Sequence, residues 1–221
     1  MSLFHRMHRH LDPADTLGEL IFGLIMVLTF TIGARLLVEE GPTDGRELLI
    51  AAIGCNLAWG IIDGFLYVLG QVFERRRLAS LIQAVQQERD DTAAMAAIRG
   101  ELDGDLASLA GSQESDRFYA SIAAAARARP AGPVKITAGD LRGAALVLFL
   151  VLATAVPAAL PFLLIEDGYV ALRVSNFLLV GLLFVVGYLW GRHVGSKPLV
   201  AGLLIMSIGL ALVLIAIPLG G

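Results

Sequence analysis

The chain is divided by uncharged runs too long for a soluble domain to hide. Residues 143–165 hold 23 positions without Asp, Glu, Lys or Arg, residues 174–191 hold 18, and residues 198–221 hold 24. A helix of roughly 20 apolar residues crosses the roughly 30 Å hydrocarbon core of a bilayer. Residues 17–38 form a fourth candidate, uncharged from Leu20 to Ala34 with Glu19 and Arg35 near its ends. A fifth, residues 48–73 (LLIAAIGCNLAWGIIDGFLYVLGQVF), carries one charge, Asp63. The expected fold is therefore an all-α integral membrane protein with five transmembrane helices. A transmembrane barrel would show shorter segments alternating apolar and polar residues, which these runs do not. Composition agrees, since 57% of residues are apolar and soluble domains average about 45–50%.

The remaining segments give an organisation: an N-terminal stretch (1–16), spans one and two (17–73), a helical insert (74–138) and spans three to five (139–221). The first 16 residues are polar and basic, and no small-residue cleavage site follows, so no cleavable signal peptide is expected. Alternation of five helices puts 14 of the 17 Lys and Arg residues on one side, with Arg35, Arg46 and Arg173 on the other. The positive-inside tendency then places the N-terminus and the insert in the cytoplasm and the C-terminus outside. Arginine-rich usage (15 Arg to 2 Lys) with abundant alanine and glycine suggests a bacterium and its inner membrane. The run Arg75–Arg77 reads as an interfacial anchor for anionic lipid in preference to a nucleic-acid patch. Cys55, the single cysteine, reads as a membrane-buried thiol and allows no intramolecular disulfide.

The insert opens with helix-forming sequence without proline, so the second span is expected to run on as one long helix, punctuated by Gly100 and Gly104. Residues 103–111 and 112–130 read as two shorter helices, the last stopped by Pro130. The insert's apolar residues are mostly alanine, so it is expected to bury little surface alone, and a second copy would help.

An ionisable group at membrane depth costs roughly 2.5 kcal/mol or more and usually faces a bundle interior or a water-filled path. Asp63 is such a group. Asn56, Asp63 and Glu74 recur at helical spacing, and Gly60 and Gly64 form a small-xxx-small pair that lets another helix approach. Glu19 enters from the cytoplasmic end of the first span, with Gly23, Met26 and Thr29 at helical intervals. Carboxylates on two neighbouring helices could hold Fe²⁺ or Mn²⁺, and without a cation their repulsion favours a proton on one of them. Asp63 and Glu19 are thus candidate metal and proton sites, with Asn56 auxiliary. Each has a plainer reading: Glu19 caps a helix start, Asn56 bonds a neighbouring helix, Met26 packs or meets lipid, and His193 sits at the interface. In the insert, Glu74, Glu88, Asp91 and Met95 fall on related turns, and Glu101 and Asp105 are four apart, a possible metal-entry set or simply a solvated face. Pro157 and Pro161 (TAVPAALPF) kink the third span.

Five spans, a helical insert between the second and third, AVPAALPFLL in the third and a glycine-rich fifth after a short basic turn resemble the vacuolar iron transporter family. In that family a Gly-Glu-Tyr-like run supplies a membrane carboxylate in the second span, and Asp63 in GIIDGFLY stands at a similar place. The family's first span carries a mid-membrane Asp-Gly pair where this chain has only Glu19 nearer the end. The resemblance implies a homodimer that exports Fe²⁺ or Mn²⁺ from the cytoplasm in exchange for protons, with no permanent cofactor. The alternative is a non-transporting membrane protein whose insert docks or regulates a partner. An enzyme finds no support, since no nucleophile–base pair, HExxH or Walker-type loop occurs.

Overall fold

The computed structural model describes residues 13–37, 45–88, 90–102, 112–129 and 132–216, which are helical with short connections. The helices are α1 (Pro13–Leu37), α2 (Gly45–Gln87), α3 (Asp91–Leu102), α4 (Ser112–Ala128), α5 (Ala138–Ala153), α6 (Ala155–Leu164), α7 (Gly168–His193) and α8 (Pro198–Ala216). No strand occurs among the described residues. Five segments are long and apolar enough to cross a membrane, with α5 and α6 together counting as one. The chain divides into two compact units, Met1–Val68 with Ala138–Gly221, and Leu69–Thr137.

The first unit is built around α1 and α7. Leu24, Val27 and Leu28 of α1 pack with Leu179, Leu183 and Val186 of α7, joined by Ala155 and Ala158 of α6 and Val213 of α8. Helix ends are closed locally. Pro13 opens α1, where its missing N–H costs nothing. Asp167 caps α7 by accepting from the Tyr169 and Val170 amides at 2.9 and 3.1 Å. The α7–α8 turn needs Gly195 at φ +71°. With the chain turned there, the Ser196 amide reaches back to the Gly191 carbonyl at 2.9 Å, a Schellman-type stop.

Gly60 and Gly64 do admit a neighbouring helix. A Cβ on Gly60 would meet Leu148 and one on Gly64 the Ala144 carbonyl, both on α5. One turn along, the Tyr67 ring lies flat on Gly143, where an added Cβ would come within 2.2 Å of it. The third span is not one kinked helix but two, parted at Thr154. Pro157 has no N–H to offer Ala153, and the chain tightens instead, the Thr154 amide bonding the Val151 carbonyl at 3.3 Å.

In the second unit the expected continuous helix through residue 103 instead stops at Gln87 and restarts at Asp91. Asp90 causes the restart: its Oδ1 accepts from the Thr92 amide at 3.1 Å and from the Thr92 hydroxyl at 2.9 Å. The reversal lets α2, α3 and α4 enclose a core of Val85, Ala94, Ile98, Tyr119 and Ala123, flanked by Leu81, Met95 and Ile122. The insert therefore has apolar packing of its own, contrary to the reading from its alanine content. Gln86 secures the end of α4 by donating to the Ala126 and Arg129 carbonyls at 3.0 and 2.7 Å. The helix expected at 103–111 lies outside the described residues.

Two outcomes follow. Ile98→Ala should destabilise the insert by about 2–4 kcal/mol, as buried Ile truncations do, read from hydrogen-exchange protection of α3 and α4. The Thr92 hydrogen bonds hold the Asp90 carboxyl below the usual carboxylate range. A group depressed in the folded state stabilises it above the unfolded value of about 3.9 and loses that effect as pH falls through the folded value. Protection factors in the first turn of α3 should therefore decline as pH falls below about 4, and Asp90→Asn should abolish that decline.

Candidate functional site

The first turns of α1 place Asp15 and Glu19 four residues apart, hence on one face. On α2, Asp63 and Tyr67 are likewise four apart. These faces and Trp190 from α7 line an open cleft of about 540 Å³, completed by Gly18 and Leu66. Glu19 lies within electrostatic reach of both Asp63 and Asp15. Asp63 is half-buried, and its Oδ2 is shielded from solvent and accepts no hydrogen bond. A buried carboxylate oxygen without a donor is costly until a proton, a water or a cation meets it. Among the described residues no cationic side chain lines the cleft to do so.

Geometry limits what the cleft could hold. Among the described residues no three His, Cys, Asp or Glu side chains converge as a metal-binding group. The carboxylates share a cavity without meeting at a point, so a cation there would keep much of its water.

Asn56, expected as an auxiliary ligand, is wholly buried and fastens helices together. Its Nδ2 donates to the Val151 carbonyl and the Thr154 hydroxyl, each at 3.0 Å. The Thr154 hydroxyl in turn donates to the Val151 carbonyl at 2.6 Å. This knot sits at the break in the third span, and α1 crosses it at Gly23, where a Cβ would come within 2.5 Å of the Thr154 hydroxyl. Glu19 and Asp63 thus open onto the cleft one turn or two from the residues, Gly23 and Asn56, that bind their helices to the broken span.

The remaining candidates are not gathered. Glu74 is exposed and pairs with Arg77 at 3.8 Å. Asp91 is paired with Arg127, which also donates to the Glu88 carbonyl at 3.2 Å. Met95 packs against the insert's core. The Glu101 side chain and Asp105 lie outside the described residues. Met26 is half-buried, and His193 is exposed at the end of α7. Sequence reasoning passed over Asp15, Trp190 and Thr154. Asp15 was detectable from its four-residue spacing to Glu19, whereas Trp190 reaches the cleft only through tertiary packing.

The chain matches no protein-family model, no curated protein and no solved structure.

The knot yields a direct expectation. A double-mutant cycle of Asn56→Ala and Thr154→Val should show a coupling energy of about 1 kcal/mol, within the range of interhelical hydrogen bonds in membrane proteins. Reversible unfolding in mixed micelles measures it, and additive single effects would contradict the arrangement.

Proposed function

We propose that the protein is a proton-coupled carrier that moves a divalent transition metal, Fe²⁺ or Mn²⁺, out of the cytoplasm. The observation that carries this reading is the pair Glu19 and Asp63 in one cleft, with the Asp63 Oδ2 lacking a hydrogen-bond donor. A hydrated divalent cation would be met by the two carboxylates, with Asp15 adding negative potential at the entrance. When the cation leaves, repulsion between the carboxylates favours uptake of a proton. Alternate occupation by metal and proton is the physical basis for exchange.

The resemblance to vacuolar iron transporters supports the same reading and adds the homodimer. The distribution of arginine supports a bacterial inner-membrane location with the insert and the N-terminus in the cytoplasm. In this reading any capture site in the insert falls to Glu88, Glu101 and Asp105. Asp91 is committed to Arg127, and Glu74 to Arg77. Asn56 acts as a positioning residue through its bonds to the broken span.

Transport into proteoliposomes with an acidic interior tests the proposal. The parent should accumulate Mn²⁺ or Fe²⁺ and stop when the pH gradient is collapsed. Asp63→Asn and Glu19→Gln should each reduce the initial rate by a factor on the order of ten or more, the size expected when a charged partner is removed. Parent-like transport by Asp63→Asn would refute the site. A parent protein that neither transports these metals nor gains thermal stability from them would favour the alternative, a membrane protein whose insert docks a partner.

A further inference from the structure

A second groove lies wholly within the insert unit and takes no part in the carboxylate cleft. Residues 132–137, returning the chain to the third span, lie against residues 75–82 of the long helix α2. Leu78, Ile82 and Val134 give the groove, of about 370 Å³, an apolar lining, and Arg75, Arg129 and Lys135 surround it. Among the described residues no acidic side chain lines it. Arg129 and Lys135 are exposed, and neither enters an ion pair among the described residues. The position of Arg129 is fixed, because its carbonyl accepts the Gln86 side-chain amide from α2 at 2.7 Å.

The covalent path sets the depth. Arg75 follows Phe73, the end of the apolar run, by two residues and Ile82 follows it by nine. At about 1.5 Å per residue those offsets are about 3 and 13 Å along the helix. Thr137 directly precedes Ala138, where the third span begins. The headgroup layer occupies roughly 5–8 Å on each side of the hydrocarbon. Both walls of the groove therefore start at headgroup depth.

We propose that this groove is a binding site for an anionic phospholipid. Arg129 and Lys135 hold the phosphate, the guanidinium by paired N–H donors and the ammonium as a point charge. Leu78 and Val134, nearer the spans than Ile82, cover the glycerol and the first methylenes. A free phosphate ion would satisfy the cations but leave the apolar lining unused, which selects the lipid over the soluble anion.

Native mass spectrometry of the full-length protein, released from micelles of equal phosphatidylglycerol and phosphatidylcholine, tests the site. The parent should retain phosphatidylglycerol selectively. Arg129→Gln with Lys135→Gln should weaken that retention on the order of tenfold, as expected for two lost cations. Arg99→Gln with Arg117→Gln removes the same charge from α3 and α4, outside the groove, and should leave retention within about twofold. Undiminished retention in the first pair, or equal loss in the second, overturns the proposal. A photoreactive phosphatidylglycerol on the parent gives a variant-free readout. Labelling of residues 75–82 and 132–137 supports the site, and labelling confined to the spans refutes it. Displacement of the lipid by equimolar inorganic phosphate would show a soluble-anion site and overturn the lipid assignment.

Discussion

The requirement that segments apolar enough to cross a membrane satisfy their backbone polar groups without water governs this structure. It explains why five apolar segments are helical, and it explains the care taken where a helix cannot continue. Pro157 removes the amide that would have bonded the Ala153 carbonyl, and the third span parts at Thr154. The break is then closed by side chains. The Thr154 hydroxyl and the Asn56 amide both donate to the Val151 carbonyl, while Gly23 brings α1 within contact of the same point. Three helices are joined at one polar knot because one of them contains a proline. Ser175 does similar work farther along, its hydroxyl donating to the Ala158 carbonyl at 3.0 Å.

The same constraint gives the carboxylates their meaning. A polar atom in the membrane unit is ordinarily matched, as Thr31 is matched by the Leu28 carbonyl and by Asn176. The Asn56 Oδ1 and the Asp63 Oδ2 break that pattern, and Asp63 does so in the cleft that also holds Glu19. Knot and cleft are linked through α1 and α2, since α1 gives Gly23 to the knot and Asp15 and Glu19 to the cleft, and α2 gives Asn56 to the knot and Asp63 to the cleft. Movement at the break would move both carboxylates. The insert follows different rules: among its described residues Glu74, Asp91 and Asp116 are exposed and pair with arginines on neighbouring helices or turns, while Asp90 caps α3 through Thr92.

The five spanning segments were legible because length and lack of charge are one-dimensional properties. So was the helix approach at Gly60 and Gly64, because a four-residue spacing fixes a face. The break at Thr154 was only half legible: two prolines announced a disturbance, but its exact form depends on Asn56, 98 residues away. The insert was misjudged because alanine counts hide geometry. A few larger residues, Val85, Ile98 and Tyr119, meet only once Asp90 turns the chain back. In the cleft, Asp63 and Glu19 stood out as charges in apolar runs. Asp15 lay in a polar stretch, marked only by its four-residue spacing to Glu19, and nothing local marks Trp190.

Proton release on metal binding tests the central claim, that Glu19 and Asp63 hold a proton and a metal in alternation. Mn²⁺ titrated calorimetrically into the purified protein, in two buffers of different ionisation enthalpy, counts the protons set free. The account predicts release on binding near neutral pH, and loss of that release in the Glu19→Gln, Asp63→Asn double variant. Binding without proton release, or the same release from the double variant, would contradict it.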